Sequence, residues 1–363
     1  MTPTRRFATA RQEVEAHGMS LVRAHPRRDR LHLDLADADG DRVVGQWIGE
    51  AQTAETVAAA TDSVASGRVR LLGNHLVVQA GGADRRLRSL ATLVAAGADL
   101  VVHRPERRAV VRTGEGESRT FTKVVRPSRT ADLAQRMTRA AAVPGLLAPR
   151  VVATDESAGT IEMSTLPGRT LHDLLTDGMP AGTAEAIGAA VRTLHTAPDV
   201  DGVGGHDLGA EVDVTRALLD LARLHHALEP RTLDALDRDA ARAASVVIGA
   251  GPVGGRSLLH RDLHDKQLLV DDGRVGMLDV DTIVLGDAAL DLGNLLAHLD
   301  LRVRQGWTLP STAAEVEDGV LEGYAPDART RAAASGYRAL TRARLRALYA
   351  FRPGDMRQPV GAR

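Results

Sequence analysis

Residues 260–267, His-Arg-Asp-Leu-His-Asp-Lys-Gln, place a dense polar segment between Ser-Leu-Leu and Leu-Leu-Val. The segment offers two imidazoles (His260, His264), two carboxylates (Asp262, Asp265), a guanidinium (Arg261), an ammonium (Lys266) and a carboxamide (Gln267). The next stretch, Leu-Leu-Val-Asp-Asp-Gly-Arg-Val-Gly-Met-Leu-Asp, reads as a hairpin with Asp272-Gly273 at its turn. That hairpin carries Asp279 back toward Gln267, so a carboxylate and a carboxamide oxygen can converge. Hard oxygen donors of this kind suit a cation such as Mg2+. Lysine is the other chemical signal. Of 46 basic residues only Lys123 and Lys266 are lysine. An ammonium is a compact point charge that a planar guanidinium does not replace, so both are candidates for chemistry.

The elements that must hold these groups follow from composition and pattern. A chain of 363 residues, 44% hydrophobic, suits two or three compact units, with aromatics at only 2%. Without cysteine there are no disulfides, thiolate nucleophiles or Cys-based metal sites. No apolar run approaches the roughly 20 residues of a membrane span, and the N-terminus lacks the apolar stretch of a signal. A cytoplasmic protein without a membrane partner is expected. Charge is uneven: net +5 over residues 1–165, −14 over 166–327 and +8 over 328–363. A basic helical tail packing on an acidic lobe accounts for this. An acidic cavity for a metal or cationic substrate is the sharper alternative. No basic stripe interleaved with aromatics suggests a nucleic-acid partner.

Residues 1–25 read as helix, Arg-Leu-His-Leu-Asp-Leu and Arg-Val-Val-Gly-Gln-Trp-Ile-Gly as a hairpin, 51–65 as helix, 68–80 as one strand and 83–96 as helix. From Asp99 three short strands form an antiparallel meander, ending in Arg-Thr-Phe-Thr-Lys. A helix capped by Ser128 or Thr130 and two further strands follow. Helices are expected over 182–197, 213–227, 231–247, 290–301, 312–323 and 328–349, interrupted by short strands between Leu258 and Val284. On the helix from Leu290, Asp291, Asn294 and His298 share a face, expected to pack under the polar loop. His225-His226 reads as an exposed pair on a helix, not a metal site.

This order of residues resembles the kinase-like fold of the aminoglycoside phosphotransferase and choline kinase family, over roughly residues 97–352. Its members carry His-Gly-Asp-Leu-His-x-x-Asn, then an Asp on the next strand, then Gly-Asp and Asp-Leu. Here the matching residues are His260, Asp262, Leu263, His264 and Gln267, then Asp279, Gly286-Asp287 and Asp291-Leu292. The resemblance implies an α+β, bilobal protein-kinase-like fold. A small antiparallel β-sheet lobe (97–165) would precede a mostly helical lobe (166–363), both after an N-terminal α+β extension (1–96). That extension is loosely similar to the extra N-terminal domain of maltokinases.

The resemblance also implies roles. Asp262 would be the catalytic base for the acceptor hydroxyl, and Gln267 and Asp279 the Mg2+ ligands. Lys123 would contact the α- and β-phosphates, Lys266 would add a phosphate contact, and the backbone of Glu162, Met163 and Ser164 would form the adenine hinge. His260, Arg261, His264, Asp281, Asp287 and Asp291 would support the loop. The sequence departs from the family at three points. Gln267 stands for an Asn, and one extra methylene keeps the oxygen donor. Gln135, with Asp132 one turn earlier, stands where a helix Glu orients the lysine. The first turn, His-Arg-Pro-Glu-Arg-Arg, has no glycine-rich loop, leaving Arg104, Arg107 and Arg108 as phosphate contacts.

The expected activity is ATP- or GTP-dependent transfer of the γ-phosphate to a hydroxyl of a small molecule. An aminoglycoside-like antibiotic, a sugar or an amino alcohol would each serve. The three departures leave a nucleotide-binding pseudokinase as the alternative. A protein kinase is disfavoured: Val-Asp, not Phe-Gly, follows Asp279, and Gly286 comes too soon for an activation segment.

Overall fold

A computed structural model describes residues 6–198 and 202–354. Arg5 and the end of the basic tail lie outside them. The first helix, α1 (Arg6–Ala16), is shorter than expected. From Ser20 the chain instead joins a sheet made of β1 (Ser20–Pro26), β2 (Arg30–Ala36) and β3 (Arg42–Ile48). Helix α2 (Ala51–Asp62) buries Ala54, Val57 and Thr61, one face at helical spacing. The single strand expected at 68–80 is a hairpin, β4 (Val69–Leu72) and β5 (Leu76–Gln79), because Gly73 takes φ 55° at the reversal. The sheet order is β1-β2-β3-β5-β4, and α3 (Ser89–Ala95) leads out of it.

The meander forms as its alternation predicts: β6 (Asp99–Arg104), β7 (Arg108–Thr113) and β8 (Thr120–Val125). Helix α4 (Thr130–Ala141) follows a 3-10 turn, and its N-cap is Arg129, not Ser128 or Thr130. With β9 (Val151–Asp155) and β10 (Thr160–Ser164) the second sheet runs β6-β7-β8-β10-β9, all antiparallel.

The remainder is mostly helical. β11 (Arg169–Thr170) leads into α5 (Leu171–Asp177) and α6 (Thr183–His195). Then come β12 (Gly205–His206), α7 (Leu208–Leu224) and α8 (Pro230–Gly249). The chemical insert is β13 (Ser257–Leu259), β14 (Leu268–Asp271), β15 (Arg274–Met277) and β16 (Val284–Gly286). Helices α9 (Ala289–Arg304), α10 (Pro310–Tyr324) and α11 (Ala328–Tyr349) close the lobe. α9 is buried nearly all round, as its leucine content requires. α6 and α10 cross at contact distance because Gly188 faces the Val320 carbonyl and Gly323 the Glu185 carbonyl, where a Cβ would collide.

One apolar core runs from the first sheet into the helical lobe. The rings of Phe7 and Phe351 meet edge-on at 5.1 Å, and the Ala24 N–H donates to the Phe351 carbonyl at 2.8 Å. His225 is a correction to the sequence reading. It is fully buried at the end of α7, against Phe351, and bonds the Arg27 carbonyl through Nε2 at 2.6 Å. Only His226 of that pair is exposed. Among the described residues no helix is long and apolar enough to cross a membrane.

Candidate active site

The polar loop between β13 and β14 is held from below by α9. Asp291 accepts from the backbone N–H of His260 (2.6 Å) and of Arg261 (2.7 Å), and His195 bonds it from α6 at 3.0 Å. Asn294 donates to the Arg261 carbonyl at 2.8 Å. His260 bonds the Leu278 carbonyl at 2.7 Å, and Thr282 donates to the His260 carbonyl at 2.8 Å. These bonds hold Arg261 in the left-handed region, at φ 71°, where the resembling loops have Gly. The reversal turns Asp262 outward. Its carboxylate is exposed and makes no hydrogen bond or ion pair with any described residue.

Asp262 opens onto a cavity of about 780 Å³ that is also lined by Lys123, Lys266, Gln267 and Asp279. The two candidate metal ligands are tied together, since the Leu278 N–H donates to the Gln267 carbonyl at 2.8 Å. Asp279 sits at φ 56°, a left-handed position that Asp tolerates better than most residues. Its carboxylate accepts from Lys123 at 2.7 Å and meets Arg108 at 3.3 Å. Burial works to raise its pKa, but these two cations hold it well below the usual carboxylate range. An ionised carboxylate and a carboxamide on one wall fit a hard divalent cation. The other geometric grouping, His264, Asp265 and His298, fits less well: Asp265 is fully buried and braced by Arg302 and His172, while the Asp279 carboxylate stays partly exposed.

Lys123 is buried, and its orienting partner differs from the sequence expectation. Gln135 is exposed on α4, while Asp132 pairs with Arg136. The ammonium instead donates to Asp281 at 2.7 Å, two residues after Asp279. Burial would lower the Lys123 pKa, but Asp279 and Asp281 more than reverse this and keep it charged.

Three other expected residues lie differently. Glu162 does not line the cavity, while Met163 and Ser164 do, followed by Thr165 and Leu166. Asp287, expected to support the loop, accepts a two-pronged bond from Arg329 at 2.6 and 2.7 Å. Asp265 is fully buried, held by Arg302 at 2.7 and 2.9 Å and by His172 at 2.7 Å. Arg107 is exposed and off the wall, whereas Arg104 and Arg108 are on it. His264 stacks on His298 at 4.7 Å, and burial keeps both rings below the ordinary imidazole pKa.

The cavity is not acidic. Acids of the −14 stretch meet the basic tail instead: Arg338 and Arg342 on Asp300, Arg344 on Glu211, Arg329 on Asp287. The turn between β6 and β7, where a glycine-rich loop is missing, is pinned to the first sheet. Glu106 within it is buried and bonds Arg85 at 2.7 Å, Arg86 at 3.2 Å and Arg30 at 3.4 Å. Its N–H donates to Asp84 at 2.7 Å.

A model of the Phosphotransferase enzyme family matches residues 100–337. Among solved structures, that of an aminoglycoside phosphotransferase from Streptomyces rimosus in complex with ADP and streptomycin matches with a TM-score of 0.52 at 22% identity, covering 71% of this chain and 98% of that one. A second structure of that protein gives a TM-score of 0.50 at 20% identity, over 70% of this chain and 96% of the other. The likeness is one of fold. A search of curated proteins finds no match.

Proposed function

The chain belongs to the phosphotransferase enzyme family and is a small-molecule kinase, and from that premise we propose that its cavity moves the γ-phosphate of ATP or GTP to a hydroxyl of its acceptor. One observation carries this reading: an unpaired carboxylate, Asp262, opens onto the same cavity as Lys123, Gln267 and Asp279. The Streptomyces relative, solved with ADP and streptomycin, supports a nucleotide donor and a small-molecule acceptor.

In this mechanism Asp262 takes the proton of the acceptor hydroxyl as its oxygen bonds to the γ-phosphorus. The bond from that phosphorus to the bridging oxygen breaks, and the nucleoside diphosphate leaves with its electron pair. Protein work is positioning and charge neutralisation. Lys123, held by Asp281, presents a fixed cation to the donor's phosphates. Gln267 and Asp279 would hold Mg2+, which when bound neutralises phosphate charge. Thr165 and Leu166, just beyond β10, with Met163, would wall the base.

The test is ADP release with ATP, Mg2+ and a panel of hydroxyl acceptors. Turnover should depend on the acceptor and stop on chelation of the metal; metal-independent or absent turnover with every acceptor would overturn the reading. Asp281→Asn should raise the nucleotide KM on the order of 10-fold, the worth of one charge-assisted hydrogen bond, while Gln135→Ala leaves it unchanged. Equal effects of the two substitutions would return Gln135 to the role of lysine partner.

A further inference from the structure

One part of the cavity wall is used by no step of that mechanism. Arg23 and His25 reach it from β1, Arg104 from the end of β6, and Arg352 from just beyond α11. Among the described residues, nine Lys and Arg line the cavity against two carboxylates, Asp262 and Asp279. Several of these cations have partners already: Lys123 and Arg108 on Asp279, Arg302 on Asp265, Arg344 on Glu211.

The group around Arg104 is different. The Arg104 guanidinium makes no ion pair or hydrogen bond among the described residues. Burial, then the neighbouring Arg108, push its pKa down to about 10, with Arg23 and Arg352 adding to the effect. The Nε of Arg23 is buried and finds no hydrogen-bond partner among the described residues, with only a long ion pair to Asp34 at 3.9 Å. The Nε2 of His25, also buried, is likewise without a hydrogen bond and lies 3.6 Å from the same carboxylate. Arg352 lies over the Tyr349 ring at 4.2 Å. Crowded guanidiniums with unmet donors beside a cavity are the arrangement that receives a phosphate or carboxylate.

We propose that Arg23 and Arg104 bind an anionic group, phosphate or carboxylate, on the non-reacting end of the acceptor, and that the N-terminal extension completes the acceptor site by supplying Arg23. The choice of acceptor rests on the phosphotransferase reading. A polycationic acceptor would meet like charge here. The extension also fixes the other half of the cluster, because Glu106, two residues after Arg104, is locked to Arg30, Arg85 and Arg86.

The test uses the full chain saturated with Mg2+ and a non-hydrolysable ATP analogue, so that the donor's phosphates are in place. Inorganic phosphate is then titrated by calorimetry. Wild type should bind it; Arg104→Gln and Arg23→Gln should weaken it at least about tenfold, one charge-assisted hydrogen bond each, without weakening the analogue. Arg104→Lys, which keeps the charge, should recover part of the affinity and guards against a folding defect. In turnover, a sugar phosphate should outpace the matched neutral sugar, and Arg104→Gln should erase that preference. Phosphate that fails to bind beside the analogue overturns the proposal, as does a variant that weakens phosphate and analogue alike, which would assign the cluster to the donor. Preference for neutral or cationic acceptors overturns it too. Failure of the analogue to bind would instead count against the kinase reading, and phosphate titrated into the bare protein then decides the anion site by the same variants.

Discussion

Asp262→Asn should lower acceptor-dependent turnover about a thousandfold, within the range by which a positioned base accelerates proton transfer, while the melting temperature stays near that of wild type. Both halves follow from the same geometry. The loop is fixed by bonds to its backbone, from Asp291 to the His260 and Arg261 N–H groups and from Asn294 to the Arg261 carbonyl. The Asp262 side chain takes no part in that support, so an isosteric carboxamide removes the base without disturbing the loop. Acceptor KM should change little, because the carboxamide still offers the hydroxyl a hydrogen bond. Steady-state kinetics beside a thermal melt separates the two effects. A large loss of stability, or turnover within about tenfold of wild type, would contradict the assignment of Asp262 as base.

The second large effect is on stability. Asp265 and Arg302 are both buried, and the carboxylate receives two bonds from the guanidinium and one from His172. Removing one member of such a pair leaves the other charge buried and costs roughly 3–5 kcal/mol. Asp265→Ala should therefore unfold at markedly lower denaturant concentration, and a double Asp265→Leu, Arg302→Met variant should recover most of the loss. Burial works to raise the Asp265 pKa, but His172 and Arg302 hold it well below the usual carboxylate range. A depressed folded pKa stabilises above the unfolded value and ceases to do so as pH falls through the folded one. Denaturation curves of wild type and variant should therefore stay apart through the neutral range and converge only in strong acid. A variant no less stable than wild type at neutral pH would contradict this account.

The order of strands and helices was legible because the alternation in Asp99–Val125 and the leucine spacing of α9 have one sensible reading each. The face shared by Asp291, Asn294 and His298 was legible for the same reason, and one further turn along it reaches Arg302. The pairing of Arg302 with Asp265 was not, since it joins residues brought together only when α9 packs under the loop. Asp281 was readable only as a neighbour of Asp279. That it takes the place of a helix Glu depends on how β8 faces the loop, which no local pattern states. Arg104 was legible only as one of three arginines in a turn without glycine, and Arg23 escaped for a different cause. In a chain with 46 basic residues, one arginine on a strand carries no signal until the fold puts it beside a cavity and a second arginine. The charge segments misled in one respect: acids of the −14 stretch pair with the basic tail, leaving the cavity wall cationic.

Transfer of a phosphoryl group to an acceptor hydroxyl is read out by phosphorus NMR. With ATP, Mg2+ and the best acceptor from the ADP-release panel, wild type should produce a phosphomonoester resonance in step with ADP, and Asp262→Asn should produce none on that timescale. Inorganic phosphate as the sole product, or the ester formed at equal rates by both proteins, would contradict the account.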